Sequence, residues 1–224
     1  MSYIQHQLLQ KYIEMNDLQK KDKNSDNYGK NARNYQDIFL ENQDISEENM
    51  GNLEKIALSN FEIDHLLKGK TYVLTYKNLP RFHNINELLE PFKNFIMLYM
   101  WKPNYGHWVC VIKHPDRIEF FDPYGEPNIP DKELDHVKSN VKIITNQDYP
   151  YLTQLLYDSK YPIEYNNYQF QQHADDINTC GRHCIVRVLF KNLLLDQYYQ
   201  LMKQLRKKSG LDYDQIVTYI TESL

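Results

Sequence analysis

Residues 95–101, Phe-Ile-Met-Leu-Tyr-Met-Trp, constrain this chain more than any other stretch. Consecutive apolar side chains cannot alternate between a core and solvent, so a strand built from them is covered on both faces. Two more strands follow it. His107–Ile112 is the first, Pro115-Asp116 turns the chain, and Ile118–Phe121 returns. That spacing predicts a β-hairpin. Asp122-Pro123-Tyr124-Gly125 then leaves the last strand as a turn, for which Asp-Pro is a favourable pair.

The flanking segments supply helices and edges. Ser59–Leu67 has a capping start and stops before Gly69, which predicts a helix. Tyr72–Tyr76 reads as a strand, and Asn84–Glu90 as a short helix stopped by Pro91. Further on we expect a helix from Pro130-Asp131 to Val137, a short strand over Val141–Ile144 and a helix over residues 150–158. Tyr165–Gln171 alternates as an edge or final strand and runs into a polar loop, residues 172–178. Three helices end the chain, over Cys180–Leu195, Asp196–Lys207 and Leu211–Ile220. Strands in the middle and helices at the end predict an α+β fold, a central mixed sheet flanked by helices.

The compact domain is expected over residues 58–224. Residues 1–57 are polar and charge-mixed and read as an extension. Tyr3-Ile4, Leu8-Leu9 and Tyr12-Ile13 recur there at helical spacing, residues 20–34 read as a mobile linker, and a weak helix covers Asp44–Leu58.

Composition narrows the function classes. At 224 residues one decorated domain is expected, and a net charge of −4 provides no global drive toward nucleic acid. The Lys203/Arg206/Lys207/Lys208 cluster reads as a last helical turn that complements the helix dipole. No run of about 18 apolar residues suggests a membrane span. The beginning, Met1-Ser-Tyr-Ile-Gln-His6, lacks the basic and apolar regions of a signal peptide. Three cysteines, an odd number without a framework, fit a reducing compartment. An intracellular protein, or one carried in a particle assembled inside a cell, is expected.

The chemistry-bearing residues lie at strand ends and helix starts. Cys180-Gly181 opens the apolar run that ends at Leu195. A helix N-terminus favours thiolate over thiol, and Gly181 offers no side chain to hold other groups away from the sulfur. Taken alone, Cys180 reads as an ordinary small core residue. His107 opens a strand after Gly106, with Trp108 able to exclude water; by itself it could be a satisfied core histidine. The hairpin brings Asp122 alongside the start of the His107 strand, where a carboxylate can fix the imidazole tautomer and also initiate the turn. Gln171 and Gln172 precede the loop into Cys180, and a glutamine amide can donate to an oxyanion without ionising. Together these are the parts of a nucleophilic cysteine site: thiol, base, orienting carboxylate and oxyanion donors. A rival reading makes His173, Cys180, His183 and Cys184 metal ligands, although their spacing is not a usual zinc pattern. Cys110, mid-strand, reads as core.

The order His, Asp, Gln, Cys, with Gly106-His107-Trp108, Phe120-Phe121-Asp122-Pro123-Tyr124-Gly125, Pro130-Asp131 and Thr179-Cys180-Gly181-Arg182-His183-Cys184, resembles the adenain-like and ubiquitin-like-protease superfamily of cysteine peptidases. The nearer resemblance is to maturation proteases of large DNA viruses and virophages. Leu58–His65 is similar to that family's entry helix, and the resemblance covers residues 58–224. It implies a papain-like fold with permuted catalytic order. It also implies Cys180 as nucleophile, His107 as base and then acid, Asp122 as its orienter, and Gln171 as oxyanion donor. The loop after the glutamines is longer than in cellular ubiquitin-like proteases, so spacing does not decide between Gln171 and Gln172; the alternation from Tyr168 and Phe170 favours Gln171. The implied activity is endopeptidase cleavage of structural (capsid) precursors during virion maturation, often after small residues such as glycine. The implied location is the host cytoplasm or viral factory, with packaging in the virion. No cofactor or metal is implied, and a nucleic-acid or peptide activator is not indicated. A ubiquitin- or SUMO-like deconjugase and an acetyltransferase are the alternatives within the superfamily, and a non-enzymatic binding module lies outside it.

Overall fold

The computed structural model describes residues 47–90, 92–102, 105–125 and 130–224. The helical pattern expected over residues 3–13 and the linker over residues 20–34 lie outside them.

Five strands form one mixed sheet in chain order: β1 (Tyr72–Thr75), β2 (Asn94–Lys102), β3 (Tyr105–Lys113), β4 (Ile118–Phe121) and β5 (Ile163–Tyr165). The inner pairs β2–β3 and β3–β4 are antiparallel, whereas β1–β2 and β4–β5 are parallel. Around the sheet lie α1 (Glu47–Glu54), α2 (Asn60–Leu66), α3 (Asn86–Leu89), α4 (Ser139–Ile144), α5 (Tyr151–Asp158), α6 (Cys180–Leu189), α7 (Leu195–Ser209) and α8 (Tyr213–Glu222). Two 3₁₀ turns cover Tyr76–Arg81 and Lys132–His136.

Strand parity explains why residues 95–101 are apolar throughout. Ile96, Leu98 and Met100 join Trp108, Cys110, Ile112 and Phe121 in a core closed by α6, α7 and α8. Phe95, Met97 and Tyr99 join Val109, Val111 and Phe120 in a second core with Leu79, Leu88, Leu152 and Leu156. Each face of β2 is therefore covered, and the arrangement is α+β with helices on both sides of a mixed sheet. Residues 47–54 add to the first core: α1 packs on α8, and Met50 is buried there.

Several expected elements differ, among them the helix expected over Cys180–Leu195, which ends at Leu189. Val141–Ile144 is helical, within α4, instead of a strand. Its β-branched residues favour strands, but the edge of β4 is already taken by β5, and Ile143 and Ile144 are 70% exposed. Pairing of the last strand stops at Tyr165, because the following backbone bonds to a turn: the N–H groups of Phe170 and Gln171 both donate to Pro123 O at 2.9 Å. The segment after Pro130 begins as a 3₁₀ turn at Lys132, because Asp131 is left-handed (φ 77°) and its carboxylate accepts from Tyr99 Oη at 3.0 Å and Thr153 N at 2.8 Å.

Candidate active site

The sheet register brings the first pair together. Cys110 faces Phe121 across β3 and β4, so Asp122 is one step further on and His107 lies diagonally from it. His107 Nε2 and Asp122 Oδ1 are 2.8 Å apart, and both residues are buried. Asp122 Oδ1 also accepts from the Tyr124 N–H at 2.9 Å, closing the turn. The carboxylate thus serves the turn and the imidazole at once. Asn166 Nδ2, just past the end of β5, donates to the Asp122 carbonyl at 2.6 Å and steadies that turn.

With Nε2 facing Asp122, the imidazole's Nδ1 is left for another partner. Cys180 acts electrostatically on the same ring. Burial pushes the His107 pKa down, but the charge and hydrogen bond of Asp122, followed by those of Cys180, raise it well above the usual histidine value. The ring is stacked between Tyr124 (centroids 4.5 Å, 12°) and Trp101 (6.2 Å, 9°), and His173 stacks on the far face of Tyr124 at 4.2 Å. Trp101 is oriented by Nε1 donating to Glu133 Oε1 at 2.7 Å. Glu133 is pushed up by burial and held back by the His107 charge.

Cys180 is the first residue of α6 and is 6% exposed. Gly181 lets α6 approach its neighbours: a Cβ there would lie 3.2 Å from Trp108 and 3.4 Å from Ile63. Trp108 in turn donates from Nε1 to Leu58 O at 3.1 Å, joining the strand after His107 to the segment before α2. Gly106 and Gly125 are required by close approach. A Cβ on Gly106 would be 1.7 Å from Tyr99 O, and one on Gly125, which has φ +66°, would be 2.0 Å from Tyr168 O.

The two glutamines take different directions. Gln171 is buried; its Nε2 donates to Ile177 O at 3.2 Å and its Oε1 is buried without a hydrogen-bond partner. An amide nitrogen carries two protons, and Ile177 takes one. Gln172 is exposed and turns to α8, with Nε2 donating to Asp212 Oδ2 and its backbone N–H to Asp214 Oδ2, each at 3.0 Å.

The residues of the rival metal reading diverge. His173 stacks on Tyr124, and His183 Nε2 meets Asp214 Oδ1 at 2.9 Å. The thiol of Cys184 is pushed up, first by burial and then by Cys110. Among the described residues no group of three or more His, Cys, Asp or Glu side chains could hold a metal ion. No helix among them is long and apolar enough to cross a membrane.

Sequence reasoning missed Asp214, Glu133 and the ring stack. Asp214 follows the N-cap Asp212 of α8 and has the sequence signature of an ordinary first-turn acid. Tyr124 lies in the Asp-Pro-Tyr-Gly turn, whose signature carries no sign of ring stacking.

No family model matches the chain. It is similar to the ASFV pS273R protease over 75% of its own length and 67% of that chain, with 14% identity and a TM-score of 0.42. It is also similar to the SUMO protease Ulp1 over 87% of its length and 97% of that chain, with 13% identity and a TM-score of 0.34. In sequence it is 38% identical over 169 residues to protein V9 of Sputnik virophage, across 75% of this chain and 95% of the relative. Identity at that level over nearly the whole relative is shared descent, and the chain belongs to the family of this virophage protein.

Proposed function

We propose that this protein is a cysteine peptidase in which Cys180 is the nucleophile, His107 the base and then the acid, Asp122 the orienter and Gln171 an oxyanion donor. The observation that carries the reading is the buried 2.8 Å contact between His107 Nε2 and Asp122 Oδ1, with Cys180 on the same imidazole at the head of α6. An imidazole raised by a buried carboxylate takes the thiol proton and holds it. The Cys180 thiolate then attacks a peptide carbonyl carbon, forming a C–S bond as the carbonyl electron pair moves to oxygen. The resulting oxyanion accepts from the Cys180 backbone N–H and the Gln171 amide; losing one such donor costs about 2.7–4 kcal/mol of barrier. His107 returns its proton to the leaving amine as the C–N bond breaks. It next takes a proton from water, whose oxygen attacks the thioester and releases the acid and Cys180.

The substrate class we propose is a viral structural precursor, cut during particle maturation. This is supported by the chain's kinship with a virophage protein. The test is to map protein termini in mature particles made with wild-type, Cys180→Ala and His107→Ala protein. Precursor cleavage absent from both variants is expected. Cleavage that survives either substitution would falsify the assignment. Release of a SUMO- or ubiquitin-like tag without precursor processing would move the substrate to deconjugation.

A further inference from the structure

Asp214 is fully buried in α8, yet its carboxylate reaches back to both ends of the loop that leads into Cys180. Oδ1 accepts from Thr179 Oγ1 and from His183 Nε2, the latter at 2.9 Å, while Oδ2 accepts from the Gln172 N–H at 3.0 Å. Burial pushes Asp214 up, but His183, Thr179 and Gln172 bring it below the usual aspartate value, so it is an ionised acceptor. His183 therefore donates from Nε2, and its Nδ1 is left buried without a hydrogen-bond partner.

The positions of the three donors are what matters. Thr179 directly precedes Cys180, Gln172 directly follows Gln171, and His183 lies one turn along α6. Thr179 makes no side-chain cap bond to its own helix; its hydroxyl goes to Asp214 instead. Burying a carboxylate is costly, and a threonine cap alone would secure the helix start without it. What Asp214 adds is a common anchor for the two backbone segments at opposite ends of the loop that leads into Cys180. Oxyanion donors act through their fixed placement, since they need no reorganisation when charge develops.

We propose that Asp214 is a positioning residue that sets the spacing of the two oxyanion donors, Gln171 and the Cys180 N–H. This rests on the peptidase reading, and the test separates the two. The full chain is treated with a short peptide aldehyde ending in glycinal, which forms a tetrahedral hemithioacetal with an active cysteine. Binding is read as protection of Cys180 from iodoacetamide, mapped by mass spectrometry. Alkylation without aldehyde reports the thiol and His107 alone. In Asp214→Asn, aldehyde binding is expected to weaken about tenfold or more, short of the roughly 10²–10³ of an entire lost donor. The milder Thr179→Val, which removes one of the three bonds, should weaken it about threefold and carries the test if Asp214→Asn does not fold. Uninhibited alkylation should stay within about twofold of wild type in both. Unchanged aldehyde binding in a folded variant overturns the proposal, as does a fall in alkylation in step with binding, which marks a merely structural role. Failure of the peptidase reading looks different: the wild type is unprotected, and His107→Ala is alkylated at the wild-type rate.

Discussion

Replacing Arg187 by methionine should destabilise the fold severely, and replacing Glu119 with it should restore much of the loss. Both side chains are fully buried. Arg187 donates from Nε to Glu119 Oε1 at 2.7 Å and from Nη2 to Oε2 at 2.6 Å, while Nη1 also donates to Phe190 O at 2.9 Å and Nη2 to Leu193 O at 2.8 Å. His114 Nε2 faces Glu119 Oε2 at 2.9 Å, and the guanidinium lies 4.9 Å over the Tyr198 ring. Arg187→Met leaves a buried carboxylate with one donor and takes a donor from the Leu193 carbonyl and from the Phe190 carbonyl, which keeps the Leu193 N–H at 2.9 Å. Removing one member of such a pair costs about 3–5 kcal/mol. At about 2–4 °C per kcal/mol for a chain of this size, the melting temperature should fall by roughly 6–20 °C. Glu119→Leu/Arg187→Met removes both charges, and exchanging a buried pair for apolar residues is often neutral. The double variant should therefore be more stable than the single one.

The pH dependence has a definite sign. Burial pushes Glu119 up, but Arg187 and His114 bring it below the usual glutamate value. In the wild type its contribution is present above the unfolded pKa and is lost as pH falls through the folded one. In Arg187→Met burial faces only His114, the folded pKa rises, and the neutral acid is favoured. The deficit relative to wild type should then be larger at pH 7 than at pH 4. Urea titrations followed by tryptophan fluorescence at both pH values measure this. A single variant within about 1 kcal/mol of wild type, or a double variant below the single one, refutes the account. The bond also matters to the site, since it ties α6, which begins at Cys180, to β4, which ends before Asp122.

Gly106→Ala should unfold or inactivate the protein, since its Cβ meets backbone at 1.7 Å, whereas Gly51→Ala in α1, with nothing within 4 Å, should gain about 0.5–1 kcal/mol; thermal melts compare them. Gln171→Ala is expected to lose about 10²–10³ in kcat with little change in KM, while Gln172→Ala, at a residue bonded to α8, keeps kcat within a few-fold. Glu54 is pushed up to about 7, first by burial and then by Asp212, Asp214 and Asp176. Its stabilising neutral form is present below the unfolded pKa and lost as pH rises through the folded one, so Glu54→Gln should raise the urea midpoint at pH 8 and leave it nearly unchanged at pH 4.

The parts of this structure legible in the sequence are those in which neighbours along the chain decide the outcome. The run over residues 95–101 announced a doubly covered strand because each residue's burial follows from strand parity, and the β3–β4 hairpin followed from a short turn. His107 and Asp122 were legible for the same reason: a hairpin fixes their spacing by register. Val141–Ile144 was misread because its strand propensity is local, while the occupancy of the β4 edge by β5 is not. Alternation favours Gln171 over Gln172, but the strand that would carry it stops at Tyr165. What turns Gln171 inward is instead the pair of bonds from residues 170 and 171 to Pro123 O.

The loop before Cys180 shows the same division between local and distant causes. Its polar sequence looks like an unconstrained connection, yet it is fastened from three remote places. Asn178 donates from its N–H to Glu54 O at 2.8 Å and from Nδ2 to Lys55 O at 2.9 Å, while Tyr105 Oη donates to Asn178 Oδ1 at 3.3 Å. Asp214 holds Gln172 and Thr179 from the other side. A long loop pays more closure entropy than a short one, though only slowly with length. Bonds from α1, β3 and α8 offset that cost and limit the conformations in which Gln171 and Cys180 can stand. A loop held in this way suits the preorganised site proposed above, and α1 and α8 then support the proposed chemistry even though neither contributes one of its catalytic side chains.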